Sequence, residues 1–123
     1  MNDSSNKFDL EERSAKFGEE IVKFCTQIKT QSIIEPLLKQ LIRSATSIGA
    51  NYMEAVNASS KKDFRNKIFI SKKEANETKH WLRMLSSALP DRKETLRVFW
   101  QEAHEFVLIF GKITSSCDNK NKN

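Results

Sequence analysis

Glycine, proline, cysteine and histidine are all scarce in this chain of 123 residues, with three, two, two and two of each. Few chain breakers beside plentiful Lys, Glu, Leu, Ile and Ala favour helix throughout. No stretch shows the strict alternation of a half-buried strand. Three glycines leave no glycine-rich phosphate loop and no G-x-S-x-G nucleophile turn. Cys25 and Cys117 lie nearly a chain length apart and have no C-x-x-C spacing, which argues against a metal or redox pair. Cys25 reads as a small core hydrophobe, and Cys117 as part of a frayed end. No apolar run approaches the roughly 20 residues of a membrane span. The N-terminal MNDSSNKFDLEE has no apolar signal-peptide core. The expectation is a soluble, cytoplasmic protein with no membrane partner. One domain of this size can bury a core without disulfides or a structural metal.

Four periodic apolar stripes are present. Leu10, Phe17, Ile21, Phe24 and Ile28 predict a helix from about Leu10 to Thr30. Leu38, Leu41, Ala45, Ile48, Tyr52 and Ala55 predict a second from about Glu35 to Ala58, with Pro36 in its first turn. Gly49, in mid-helix, is read as permitting close approach of a neighbouring helix. Ser60 is placed as an N-cap, with Asp63 three residues on. The third stripe is the most regular: Phe64, Ile68, Ser71, Ala75, Thr78, Leu82, Leu85 and Leu89, within a helix from Lys61 to Ala88. Pro90 stops it, and Asp91 is expected to cap the next helix. That helix runs from about Arg92 to Ser116, with Leu96, Phe99, Ala103, Phe106, Phe110 and Ile113 inward. The spacing predicts an all-α, up-down-up-down, left-handed four-helix bundle over 10–116. Residues 1–9 are expected to be frayed or disordered, and 117–123 to form a disordered polar tail.

Charge is uneven. Lys61 to Arg83 holds eight basic and three acidic residues, a net of +5, which equals the net charge of the chain. Arg65, Lys72 and Lys79 repeat every seven residues, and Lys61, Lys62 and Arg83 extend the row. The row lies away from the core stripe, so it reads either as a solvated lysine face or as a surface for phosphates of RNA or DNA. No recognition helix, zinc finger or RNA-binding aromatic signature is present, so phosphate contacts would dominate. A second row, Lys67, Ile70, Glu74, Glu77, Trp81 and Met84, flanks the core of the third helix. Arg43, Ser44, Ser47, Asn51 and Glu54 flank that of the second. These read either as boundary residues with snorkelling stems or as a subunit interface. In the second case Trp81 and Trp100 are the anchors and Arg43 is paired to a carboxylate.

Three segments, RSATSIGANYMEA, SSKKDF and KEANETKHWLRML, resemble the four-helix-bundle family of proteins encoded in intervening sequences of bacterial 23S rRNA genes. Accessory variability proteins of diversity-generating retroelements are similar. Arg43, Ser44, Ser47, Asn51, Glu54, Ser60, Phe64, Glu74, Glu77, Trp81 and Leu82 carry the resemblance. It implies an up-down bundle, ring-like homopentamers and a basic surface. It also implies RNA binding as the usual expectation, or, for the retroelement relatives, nucleic acid and a reverse transcriptase as partners. No catalytic residues are implied.

Enzyme readings find little to stand on. Glu77 and His80 form an E-x-x-H, half of a di-iron carboxylate pattern. The second half is missing, because Gln101 stands three residues before His104. Glu54, Glu74 and Glu77 could hold Mg²⁺ in a small nuclease, but no further constellation supports this. The expectation is a non-enzymatic protein without metal or cofactor. It either binds nucleic acid through Lys61, Lys62, Arg65, Lys72, Lys79 and Arg83, or serves as a protein-interaction scaffold with an incidental basic face. Arg43, Ser47, Asn51, Glu54, Glu74, Glu77, Trp81 and Trp100 form its interface or polar network.

Overall fold

A computed structural model describes residues 3–122, with side chains from 9 to 119. Among them are four long helices and no strand: α1 (Asp3–Thr26), α2 (Ile34–Val56), α3 (Lys61–Ala88) and α4 (Lys93–Lys122). Each packs along the next, and α1 closes the bundle against α4. The order is antiparallel throughout. Lys67 meets Glu54, Ser71 donates to the Ile48 carbonyl and Thr78 meets Ser44, so partner numbers fall as α3 advances. The result is an all-α, up-and-down four-helix bundle.

The core follows the four stripes. Phe17, Ile21, Phe24, Leu41, Ala45, Ile48, Tyr52, Ile68, Ala75, Leu82, Leu85, Leu96, Ala103, Phe106 and Phe110 are buried. Leu10, Phe64, Leu89, Phe99 and Ile113 are half-buried against them. Two seams are built differently. Between α1 and α4 the space is filled by rings, with Phe24 on Phe99 at 5.5 Å and Phe17 on Phe106 at 5.6 Å. Such edge-to-face pairs add to the area they bury. Between α1 and α2 the residues are small. A Cβ on Gly49 would lie 3.3 Å from Ser14 Oγ and 3.4 Å from the Ser14 carbonyl. Gly49 is therefore a point of close helix approach, as its mid-helix position predicts.

The helix ends differ from expectation in two places. α1 stops at Thr26, not Thr30, because Gln27 and Ile28 N–H groups turn back to the Phe24 and Cys25 carbonyls. Asp91 does not cap α4; it lies inside a 3₁₀ turn, Pro90–Arg92, that leads directly into Lys93. The backbone of 117–122 continues α4. Its start is held by Asp118, which accepts from Arg65 Nε at 2.7 Å and Nη2 at 3.1 Å. At the other end the α1 backbone is helical from Asp3. Residues 1, 2 and 123, with the side chains of 3–8 and 120–122, lie outside the described set. The Ser60 cap forms as predicted: extended at φ −151° and ψ 163°, it accepts from the Asp63 N–H at 3.0 Å. Among the described residues no helix is long and apolar enough to cross a membrane.

Candidate nucleic-acid interface

A helix advances about 100° per residue, so a core stripe has one flank on each side. On α3 the flank containing Glu74, Glu77 and Trp81 turns to α2. The flank containing Arg65, Lys72 and Lys79 turns to α4. The two candidate sets thus occupy opposite seams of the bundle.

On the α2–α3 seam, Arg43 reaches across to two carboxylates. Its Nη1 lies 3.1 Å from Glu74 Oε2, and its Nη2 lies 2.5 Å from Glu77 Oε1. Gln40 accepts from Arg43 Nε at 3.2 Å, and Trp81 Nε1 donates to Glu77 at 3.2 Å. The two glutamates respond oppositely. Burial pushes the Glu74 carboxyl above the usual carboxylate range, with the hydrogen bond to Glu77 adding to the rise. The hydrogen bond from Arg43 holds Glu77 below that range. The difference follows from exposure: the Glu74 side chain is 15% accessible and that of Glu77 is 39%. Further along the seam Lys67 pairs with Glu54 at 2.9 Å. Ser47 and Asn51 play a local part, each donating to the carbonyl four residues back, on Arg43 and Ser47 respectively. Beneath them Ser71, Thr78 and Ser44 form a buried polar line.

On the α3–α4 seam the basic row is not a free lysine face. Arg65 is engaged by Asp118. Lys72 is half-buried, with its ammonium end beside Gly111. Lys79 Nζ sits 4.6 Å from the centroid of the Trp100 ring and 3.1 Å from His104 Nδ1. Lys61, Lys62 and Arg83 of the predicted set are exposed. The reason is geometric: Arg65, Lys72 and Lys79 sit one position after Phe64, Ser71 and Thr78, and α4 covers that side.

Cations that the sequence reading missed complete this face. Arg97 and Lys93 of α4 line a cleft with Arg83, and Lys112 lines a groove with Lys72. Four glutamates of the same helices are directed elsewhere. Glu74 and Glu77 face α2, Glu102 pairs with Arg13 of α1 at 2.6 Å, and Glu105 lines the α1–α4 cleft. Asp118 is the acid that engages the row, at Arg65. The α3–α4 seam therefore gathers Lys72, Lys79, Arg83, Lys93, Arg97 and Lys112 along one side of the bundle. A usable signal was present. In α4, Arg97, Trp100, His104 and Gly111 each follow a core residue, in the register that an antiparallel α3 must meet.

Trp81 and Trp100 lie on different seams of the bundle. Trp81 belongs to the α2–α3 network, and Trp100 lies under Lys79 on the other seam. The E-x-x-H pair is likewise divided: Glu77 is held by Arg43, while the His80 ring meets Trp81 at 4.9 Å. Among the described residues no group of three or more His, Cys, Asp or Glu side chains is placed to hold a metal ion.

No curated protein matches this chain. Among solved structures it is similar to a protein of the S23 ribosomal protein family from Bacteroides thetaiotaomicron, itself described as of unknown function. The two are 33% identical with a TM-score of 0.74, over 85% of this chain and 96% of the other. The family model for the 23S rRNA-intervening sequence protein matches residues 6–89, a span that takes in the Arg43–Glu74–Glu77 network. The chain belongs to the 23S rRNA-intervening sequence protein family.

Proposed function

We propose that this protein is a non-enzymatic, homo-oligomeric bundle that binds RNA or DNA through the α3–α4 face. The observation that carries the reading is the sorting of charge by seam. Six cations from two helices share one side of the bundle, while Glu74 and Glu77 turn to α2 and Glu102 and Glu105 to α1. A row of this kind attracts phosphates through counterion release, a sequence-independent interaction that weakens steeply with salt. Four phosphate contacts give a slope of log affinity on log salt of about −3.6 on a duplex. Anisotropy titrations of a structured RNA and of duplex DNA across a salt series measure it. Replacing Lys72, Arg83 and Arg97 together by Glu abolishes binding while the far-ultraviolet circular dichroism stays helical. Affinity that does not change with salt, or a triple variant that binds as wild type does, overturns the reading.

The assembly is a homopentamer in this reading. Half-exposed Val22, Met53, Phe69, Leu108 and the more open Val98 supply apolar surface for it. Light scattering at micromolar concentration tests this, and a monomeric mass refutes it.

A further inference from the structure

One end of the α3–α4 seam opens into a cleft of about 560 Å³, a size suited to a nucleotide. Arg83 of α3 stands on one wall, with Lys93 and Arg97 of α4 on the other. Leu96 and Leu82 form the apolar floor, and Ser86 and Gln101 add polar side chains. No carboxylate lines it. Trp100 is half-buried and forms part of the wall. His104, one turn further along α4, stacks on the indole at 5.2 Å with an interplanar angle of 16°. Lys93, Leu96 and Arg97 of the cleft precede Trp100 on α4, whereas His104 follows it. Lys79 Nζ, 3.1 Å from His104 Nδ1 and 4.6 Å from the Trp100 ring, fixes this arrangement. An ammonium has only protons to offer, so the imidazole accepts through Nδ1.

We infer that this cleft receives an unpaired nucleotide of a single-stranded segment, its base stacked on Trp100 and its phosphates held by Arg83, Lys93 and Arg97. The proposal rests on the nucleic-acid reading above and specifies which form of nucleic acid the protein prefers. An aromatic ring set among cations is how proteins hold single strands without reading sequence, because every base offers a stacking face. A duplex keeps its bases stacked inside and cannot use it. The cations continue beyond the cleft to Lys79 and Lys72. Arg83 and Lys72 are eleven positions apart on one helix, a rise of about 16 Å. That length serves several phosphates of a strand and is wasted on a free mononucleotide.

The experiment compares wild type, Trp100→Leu and Trp100→Phe against four probes. These are an unstructured 12-nucleotide RNA, the equivalent DNA, a 12-base-pair duplex and AMP. Trp100→Leu weakens both single strands about tenfold and leaves duplex affinity unchanged. Trp100→Phe retains most of the affinity, and AMP binds far more weakly than either strand. In a Trp81→Phe background, single strands quench the remaining Trp100 fluorescence, so the test survives if Trp100→Leu fails to fold. Duplex binding together with single-strand binding indifferent to Trp100, or an absence of quenching, overturns this inference and leaves the broader reading standing. AMP binding as tightly as the strands assigns the cleft to a mononucleotide and also overturns it. Failure of every probe to bind at low salt overturns both.

Discussion

Replacing Arg43 by Met removes one cation from between two carboxylates while keeping most of the aliphatic stem. Exposed ion pairs contribute only about 0.2–1 kcal/mol, because water and salt screen them. Arg43 is 46% accessible, so that discount applies to much of the pair. Glu74 is only 15% accessible, however, and hydrogen bonds to charged groups in less open settings contribute about 1.5–3 kcal/mol. Weighting the two gives a cost of about 1–2 kcal/mol near pH 7. For a domain of this size that lowers Tm by about 3–8 °C.

The pH dependence separates this account from a simple loss of packing. In the wild type the folded value of Glu77 is depressed by Arg43, so its stabilising contribution is present at neutral pH. That contribution is lost as pH falls through the depressed value. Glu74 has the opposite sign: burial raises its folded value, so its ionised form costs stability at neutral pH. Protonation relieves that cost as pH falls through the raised value. Without Arg43 both carboxyls bind protons more readily, so the gap between wild type and Arg43→Met is widest at pH 7 and closes toward pH 4. At pH 7, Glu77→Gln therefore destabilises while Glu74→Gln does not. Urea unfolding followed by circular dichroism, at one fixed protein concentration, reads all four proteins at both pH values. A gap of equal size at pH 7 and pH 4, or a larger cost for Glu74→Gln than for Glu77→Gln, refutes the reasoning.

Two further predictions concern the α1 side of the bundle. Gly18→Ala gains helix propensity, up to about 1 kcal/mol, with no contact closer than 3.6 Å, and raises Tm. Gly49→Ala presses a methyl onto the Ser14 backbone at 3.4 Å and does not; paired thermal melts decide, and an equal gain at both sites contradicts the close-approach account. Burial pushes the Cys25 thiol up to about 11. At pH 8 its thiolate is depleted about 100-fold against an ordinary cysteine. Mass spectrometry of a Cys117→Ser variant should show slow alkylation when native and rapid alkylation in urea; equal rates refute the burial argument.

The fold was legible because each stripe repeats at three- and four-residue steps and the breaks between stripes are short. Ser60 capped where a hydroxyl before a basic run and an aspartate implied a cap. Gly49 marked a close approach because a mid-helix glycine has no local benefit. The site was less legible. Arg65, Lys72 and Lys79 fall on one helical row, and a row by itself says only that its members share a side. Whether that side meets water or a neighbour depends on which helix packs there. The sequence of α3 does not contain that information; it lies in the one-residue offset of Trp100 and His104 behind the core stripe of α4. The helical run of the last residues was hidden for a related reason. Its composition is polar, but Asp118 finds Arg65 some fifty residues away, a pairing that no local rule registers.

The family match ends at residue 89, before α4 begins. The Arg43–Glu74–Glu77 network lies wholly within the matched span; the basic face does not. Lys93, Arg97, Trp100, His104 and Lys112 all belong to the unmatched helix. Membership of the family therefore supports the bundle and its α2–α3 polar seam, and it does not extend to the face on which binding is proposed. That face rests on physical grounds particular to this chain. Two antiparallel helices direct Glu74, Glu77 and Glu102 to other neighbours and bring a row of cations together. Mutual repulsion of those cations costs stability unless something offsets it. Asp118 offsets it at Arg65, and the Trp100 and His104 rings offset it at Lys79. Arg83, Lys93 and Arg97, around the open cleft, are left with no carboxylate in the cleft wall. If the cleft takes the anionic ligand proposed for it, that ligand supplies the missing charge, and its binding should stabilise the bundle as well as occupy it.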